Sequence, residues 1–583
     1  MKLRAATVTD GYKVGHGPLY ATGTQSVNSN LTPRSDKIYL RNCTHFYDGR
    51  LVFIGAQGAV QEVHEMWQDS FFNLPKEVAI GRFARRMAVY LGGKVKAEEQ
   101  LSELHDLGYL PLNIKALPEG VRVKMGVPVL TITNTISSAF WLVNYLETVL
   151  SDLIWKPATN ATIAYEYKEI CKHFAAKTGV DDFTVSIQCH DFSMRGMSGP
   201  EDAARSGFAH LTSFIGTDTL PAMDYAEDYY DADPDGLIAI SVVATEHAVA
   251  TSNILYLEQE RVSRFSPNPR LEAETEFMRD LITRLHPNGI VSYVADSFDF
   301  WAVLTKILPQ LKETILARES KGLEPGKLVI RPDSGDPADV ICGIEVRTVK
   351  SIDAAAEELV EQVRTETGFG ECGPSEASDI FFINGEHVEV TIGIDWNRHD
   401  KTYYYEDGYE ITSHKVVTLT AEEKGAIQVL WETFGGTETE KGYKLLDSHI
   451  GLIYGDSITT KRAVDILQRL ANKGFASGNV VFGVGSYTYQ CNTRDTFGFV
   501  VKATHTVVDS TAIDIFKDPK TDSKKKSAKG LLFVGYNSDG GYVLEDQATA
   551  EEEASPDNKL QTFYLDGKFT RRTTLDEIRA RLA

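Results

Sequence analysis

The sequence predicts an α/β protein with a parallel-stranded, barrel-like core. An additional mixed or antiparallel β domain from the N- and C-terminal segments and a β-rich insertion complete it. The first observation is a rhythm of short β-branched runs that stop abruptly at polar residues. Val185–Cys189 runs into His190-Asp191-Phe192, Ile238–Val243 into Thr245-Glu246-His247, and Ile290–Val294 into Asp296-Ser297. Lys327–Ile330 runs into Arg331-Pro332-Asp333-Ser334-Gly335, Ile450–Tyr454 into Gly455-Asp456, and Val480–Phe482 into Gly483-Val484-Gly485-Ser486. The second observation is the helix-like stretches between them, such as Phe300–Leu316 and Thr460–Lys473. Buried strands alternating with helices imply a parallel sheet. The third is spacing: Asp191, Glu246, Asp296 and Asp333 lie 55, 50 and 37 residues apart, the scale of βα units.

The rhythm is interrupted between Asp333 and Asp456. Asp379–Ile383 and Val388–Ile394 read as strands, and Asp407-Gly408 within an alternating tyrosine-rich run reads as a hairpin turn. Residues 338–424 are therefore expected to be an inserted β-rich subdomain with a helix over Ile352–Thr365. The remaining divisions are an N-terminal α+β domain over 1–150, barrel core over 151–337 and 425–503, and a C-terminal segment over 504–583. That last segment carries a lysine cluster followed by an acidic loop, Glu545–Asp557, and is expected to pack on the N-terminal domain.

The chain has 583 residues and a formal net charge of −22. Such acidity excludes a broad nucleic-acid-binding surface, which needs net positive charge. It leaves room for a small basic pocket. The six cysteines form no CxxC pair, so neither a zinc knuckle nor a disulfide framework is expected. The start of the chain lacks the apolar core of a signal peptide, and the most apolar stretch, Ala139–Trp155, is broken by Asn144, Glu147 and Asp152. A cytoplasmic protein with reduced thiols and no membrane partner is expected.

Polar residues just past the carboxyl ends of successive strands are where α/β folds place their active sites. A single such residue reads as a helix cap; six strand ends in series read as one site. Gly455-Asp456 and Gly483–Ser486 let backbone N–H groups approach an anion, and Arg494 and Lys502 follow. Arg331 beside Asp333 pairs a phosphate-gripping guanidinium with a carboxylate suited to sugar hydroxyls or to Mg²⁺ through water. Phe192 and Arg195 set a stacking ring near a cation. Asp218 is a candidate acceptor for a ligand N–H, and His247 one for orientation by Asp296.

Together, Asp10–His16, His190–Gly196, Gly216–Thr219, Glu246-His247, Asp296-Ser297, Arg331–Gly335, Gly455-Asp456, Thr493–Asp495 and Phe516–Pro519 resemble the nicotinamide phosphoribosyltransferases. These are pentosyltransferases of the type II phosphoribosyltransferase family. The resemblance implies that nicotinamide and phosphoribosyl pyrophosphate become nicotinamide mononucleotide and pyrophosphate, in NAD salvage. It implies a pyridine ring held between Phe192 and, from the second subunit of a homodimer, Tyr12. Asp218 would sit beside the amide, and Ser241 and Ser292 at the substrate. Arg331 and Asp333 would contact ribose and diphosphate, with Mg²⁺ held by Asp333 through water. Gly455, Asp456, Gly485 and Ser486 would cradle the nucleotide phosphate. Arg494, Lys502, Lys517, Arg34 and Lys525 would reach phosphates, partly across the dimer. His247 would be transiently phosphorylated by ATP, with Asp296 as its orienter. Ser486 departs from the glycine expected there. The alternatives are a nicotinate phosphoribosyltransferase and a non-catalytic nucleotide-binding or signalling protein on the same fold.

Overall fold

The structure is a computed structural model that describes residues 3–92, 98–262, 266–322, 324–367, 373–399, 402–455, 457–518 and 527–583. It divides into two compact units, Met1–Val242 with Tyr454–Val464 and Val480–Ala583, and Val243–Ile453 with Asp465–Asn479.

In the first unit, seven strands form a largely antiparallel sheet built from both ends of the chain. Its order is Thr511–Asp514, Val500–Val508, Thr24–Thr32, Leu130–Asn134, Leu112–Ala116, Gln561–Leu565 and Lys568–Phe569. Val27 and Leu31 of Thr24–Thr32 are fully buried, as are Ile114 and Ile132, so the sheet's apolar alternation is what fixes its register. The helix Glu147–Thr178 is buried along most of its length and contains Pro157. The unit also holds three parallel strands, Gly216–Thr217, Cys189–Asp191 and Val480–Val484, in that order.

In the second unit, Val243–Ala244, Val291–Val294, Leu328–Arg331 and Ile450–Tyr454 run parallel, in that order. Val291, Tyr293, Leu328 and Ile330 have no exposed surface, which explains their continuous apolar runs. The parallel-stranded α/β class is as predicted.

A four-stranded sheet follows, ordered Arg347–Val349, Glu376–Ile383, Glu386–His399 and Thr402–Val416. Helix Ile352–Glu366 covers it through Ala355, Leu359 and Val363, spaced four apart, against Phe381, Val390 and Ile392. This is a separate small core. The chain leaves for it and returns from it at one point. A Cβ on Gly343 would lie 2.3 Å from the Glu423 carbonyl oxygen, and one on Gly425 would lie 2.2 Å from the Gly343 nitrogen. Two glycines back to back make the root.

Four local readings differ from the structure. Ile238–Val243 becomes strand only at its end, as Val243–Ala244, and both residues are exposed. Val185–Ile187 is the end of helix Asp182–Ile187, not strand, because Asp181 caps it by accepting from the Thr184 N–H at 2.9 Å. Asp407-Gly408 lies inside strand Thr402–Val416. The tyrosine-rich run keeps pairing with Glu386–His399 on both sides of it. The acidic segment is not a loop throughout: Tyr542–Ala548 is a strand, and Thr549 caps helix Ala550–Glu553.

Candidate active site

In the first unit, strand Cys189–Asp191 ends in a tight turn. The Asp191 carboxylate accepts from the Ser193 N–H at 2.9 Å, and Met194–Gly196 forms a single 3₁₀ turn. Phe192 is held by its N–H to the Val484 carbonyl at 3.0 Å. Its ring lies 4.7 Å from that of His190. A cavity of about 480 Å³ opens beside it, lined by Phe192, Met194, Arg195, Met197, Asp218 and Thr219 among others. A flat aromatic wall, a cation and a carboxylate thus share one pocket.

Asp218 is the most closely held of these groups. Its N–H donates to the Asp191 carbonyl at 2.9 Å. Its Oδ1 receives the Ser241 hydroxyl at 2.5 Å and lies 3.0 Å from His190 Nε2. The side chain remains half exposed, so it can still meet a ligand.

The glycine strand ends lie against this pocket. A Cβ on Gly483 would come within 2.6 Å of both the Gly455 Cα and the Phe192 ring. Only glycine permits that approach. Gly485 has open space where a Cβ would stand and caps the short helix Ser486–Gln490. The Ser486 side chain leans on Gly196, whose own Cβ would lie 2.0 Å from its Oγ. The serine is thus accommodated by a glycine in the turn that bears Arg195.

A basic cluster forms elsewhere in the unit. Lys502 is half buried, and burial lowers its pKa most; Arg34, Lys517 and Lys13 lower it further, and Glu147 opposes them. Lys13 is buried and bonded to Glu147 at 2.6 Å. Lys517 is exposed, its N–H donating to Ser527 Oγ at 2.9 Å. Arg494 stands exposed on a 3₁₀ turn, 3.4 Å from Asp495. Tyr12 is 65% exposed and is not part of the Phe192 pocket lining. Asp456 and Lys525 lie outside the described residues.

In the second unit, His247 is the first residue of helix His247–Glu260. Its Nδ1 lies 3.2 Å from Ser297 Oγ. Its Nε2 lies 3.7 Å from Asp296 Oδ1 and 3.8 Å from Asp333 Oδ2. The imidazole's hydrogen bond runs to Ser297, while Asp296 stands at ion-pair distance from it. Asp296 also organises the next turn. Its Oδ2 accepts from the Asp333 N–H at 3.0 Å and from the Ser334 hydroxyl at 2.6 Å. Its Oδ1 is buried without a hydrogen-bond partner among the described residues. Arg331 donates from Nη2 to the Thr245 carbonyl at 2.9 Å, and its buried Nε has no such partner. Ser292 is buried within strand Val291–Val294, and its carbonyl accepts from the Thr245 N–H at 2.9 Å.

Residues 187–368 and 379–568 match the nicotinate phosphoribosyltransferase (NAPRTase) family. The nicotinamide phosphoribosyltransferase of Acinetobacter baylyi is 44% identical over 584 residues, covering 100% of this chain and 97% of that one. That of Mycoplasma pneumoniae is 30% identical over 550 residues, covering 91% and 95%. The chain belongs to the nicotinate phosphoribosyltransferase family. A solved structure, human nicotinic acid phosphoribosyltransferase, is similar at a TM-score of 0.47 and 14% identity, covering 98% of this chain and 92% of that one.

For a phosphoribosyltransferase, each of the two clusters has a chemical use. The first unit offers a ring slot with one carboxylate. The second offers a histidine among carboxylates, beside a guanidinium anchored by a carbonyl. His190, Ser297 and Ser334 belong to these arrangements and Lys13 to the basic cluster, but none was given a role by its sequence. Their only sequence signal is adjacency to Asp191, Asp296, Asp333 and Tyr12; serine after aspartate reads as an ordinary cap.

Proposed function

We propose that the protein transfers the phosphoribosyl group of phosphoribosyl pyrophosphate to nicotinamide. The products are nicotinamide mononucleotide and pyrophosphate, and the setting is NAD salvage in the cytoplasm. The observation that carries this reading is Asp218 in the Phe192 pocket, with Oδ1 fixed by Ser241 and His190. A carboxylate accepts from an amide NH₂ and repels a carboxylate. It therefore favours nicotinamide over nicotinate.

The C–N bond forms at the anomeric carbon as the C–O bond to pyrophosphate breaks, through an oxocarbenium-like state. Phe192 aims the ring, so that its weak nitrogen meets that carbon without an ordering cost at the moment of reaction. Arg331 meets the diphosphate, and the Thr245 carbonyl sets the angle of its guanidinium. Asp333 accepts from ribose hydroxyls. Gly455, Gly485 and Ser486 receive the product phosphate, with Asp456. Arg34, Arg494, Lys502, Lys517 and Lys525 draw in phosphates.

Asp296 Oδ1 and the Asp333 carboxylate are hard oxygen donors of the kind Mg²⁺ takes. The described residues contain no group of three His, Cys, Asp or Glu able to hold a metal. That donor set fits an ion arriving with the diphosphate, held by Asp333 through water. Bound there, Mg²⁺ would neutralise charge on the departing pyrophosphate.

ATP enters as co-substrate through His247. Ser297 at Nδ1 leaves Nε2 as the nucleophile: an Nε2–P bond forms, the γ-phosphate's bond to ADP breaks, and ADP leaves. A homodimer is part of the proposal, because Tyr12 and Leu19 are strongly exposed and Tyr12 would complete a partner's ring slot. No helix among the described residues is long and apolar enough to cross a membrane.

The test is direct. Purified protein is incubated with phosphoribosyl pyrophosphate, Mg²⁺ and either nicotinamide or nicotinate, with and without ATP, and the mononucleotide is identified. Nicotinamide mononucleotide is the expected product. Nicotinate mononucleotide alone, or no product, would overturn the proposal.

A further inference from the structure

The second unit contains a cavity of about 890 Å³ at the root of the inserted sheet. Its walls come from the insert (Phe382) and from the segments after it (Trp431, Lys444, Arg469, Lys473 and Phe475). The volume falls within the range of small-molecule sites. The Trp431 and Phe475 rings stand nearly perpendicular, with centroids 6.3 Å apart. The Lys444 ammonium lies 5.6 Å and 5.4 Å from those centroids. Lysine held over two rings in this way is a cation–π contact.

The other cations are partly buried against main-chain carbonyls. Arg469 donates from Nη2 to the Gly343 carbonyl at 2.5 Å and to Asp339 at 2.8 Å, yet its buried Nε has no hydrogen-bond partner among the described residues. Lys473 donates to the Cys342 carbonyl at 2.5 Å and to the Lys424 carbonyl at 3.3 Å, and burial lowers its pKa. Of the carboxylates lining the cavity, Glu432 is held by Lys424 at 2.8 Å, while Glu345 is exposed. The cavity thus has an aromatic wall and an excess of positive charge.

We infer that this cavity is a binding site for a mononucleotide, its base against Trp431 and Phe475 and its phosphate toward Lys444, Arg469 and Lys473. Lys473 also holds the carbonyl of Cys342, the last residue of helix Pro337–Cys342, and Arg469 that of Gly343, its C-cap. Asp336 caps the other end of that helix at 2.9 Å, three residues after Asp333. A phosphate that engages these cations acts on the turn that carries Asp333. The site is an effector site, and the coupling is through this helix.

Adenosine 5′-monophosphate, adenosine and inorganic phosphate are the probes, titrated separately into the full-length protein by calorimetry. The monophosphate is expected to bind at one such site per chain. Lys444→Ala and Trp431→Leu should each weaken it at least tenfold while circular dichroism stays unchanged. If Trp431→Leu fails to fold, Lys444→Gln decides. No binding by the intact protein, or binding indifferent to the Lys444 variants, overturns the site. Adenosine binding as tightly as its monophosphate overturns the phosphate assignment. For the coupling, the monophosphate should change the KM for phosphoribosyl pyrophosphate in the wild type and not in Lys444→Ala. No change in the wild type, or an equal change in both, overturns it. Binding is read without turnover, so its failure leaves the proposed reaction standing.

Discussion

The selectivity proposed for Asp218 can be measured with one substitution. Asp218→Ser removes the charge and keeps a hydroxyl. A hydrogen bond to a charged group is worth about 1.5–3 kcal/mol, so the ratio of kcat/KM for nicotinamide over nicotinate should fall roughly 10- to 100-fold. An unchanged ratio removes Asp218 from this role. His247 makes a second residue-scale case. His247→Ala should abolish the stimulation by ATP and leave basal synthesis. Ser297→Ala should weaken that stimulation without eliminating it, because it deletes only the 3.2 Å contact at Nδ1. Phosphohistidine detected on the His247→Ala protein would place the phosphorylation elsewhere. Aspartates at strand ends were legible in the sequence as candidates. Which oxygen meets which donor was not, since Asp296 serves the Asp333 turn and Ser297 serves the imidazole.

His210 ties elements together beneath the ring slot. It is fully buried, with Nδ1 2.7 Å from the Tyr489 hydroxyl and Nε2 3.1 Å from the Gly216 carbonyl. Burial pushes its pKa down to about 4, from an ordinary value of 6.5. The folded state therefore refuses a proton that the unfolded state accepts. Its contribution is complete above about pH 6.5 and is lost as pH falls from there toward 4. Between pH 7 and pH 5 the loss should be about 2 kcal/mol. Urea midpoints of the wild type and His210→Gln at both pH values measure it; parallel shifts would refute the assignment. Gly483→Ala tests the approach of two strand ends. The new methyl would collide with Gly455 and Phe192, and overpacking of this kind costs about 1–3 kcal/mol. The KM for nicotinamide should rise as Phe192 is displaced, and an unchanged KM would show that the ring slot tolerates the shift. The buried strands and the long amphipathic helices were legible because their patterns are local. Val185–Ile187 was not, because a cap at Asp181 outweighs a β-branched run.

The scale of the whole molecule brings in the second copy. Tyr12 is exposed on its own chain, so the dimer proposal predicts complementation. Tyr12→Ala and Phe192→Ala proteins should each be nearly inactive. Unfolded together and reassociated, half their dimers are mixed, each with one intact site of two, so activity should return to about a quarter of the wild type. No recovery, with mixed dimers verified by mass, would mean that Tyr12 serves its own chain. The net charge of −22 coexists with a clustered Arg34, Lys502 and Lys517. Bulk acidity describes the solvated exterior and does not set the sign of a pocket.

By itself, the sequence determined the α/β class, the inserted sheet and the types of group at each strand end. Those follow from period, apolar runs and punctuation, which act over a few residues. Tertiary structure alone decided the partners. Ser241 and His190 reach Asp218 across 23 and 28 residues, and Gly343 meets Gly425 across the whole insert. It also decided that Lys444, Trp431 and Phe475 enclose a cavity. Such pairings depend on where the backbone returns, and no local pattern encodes that.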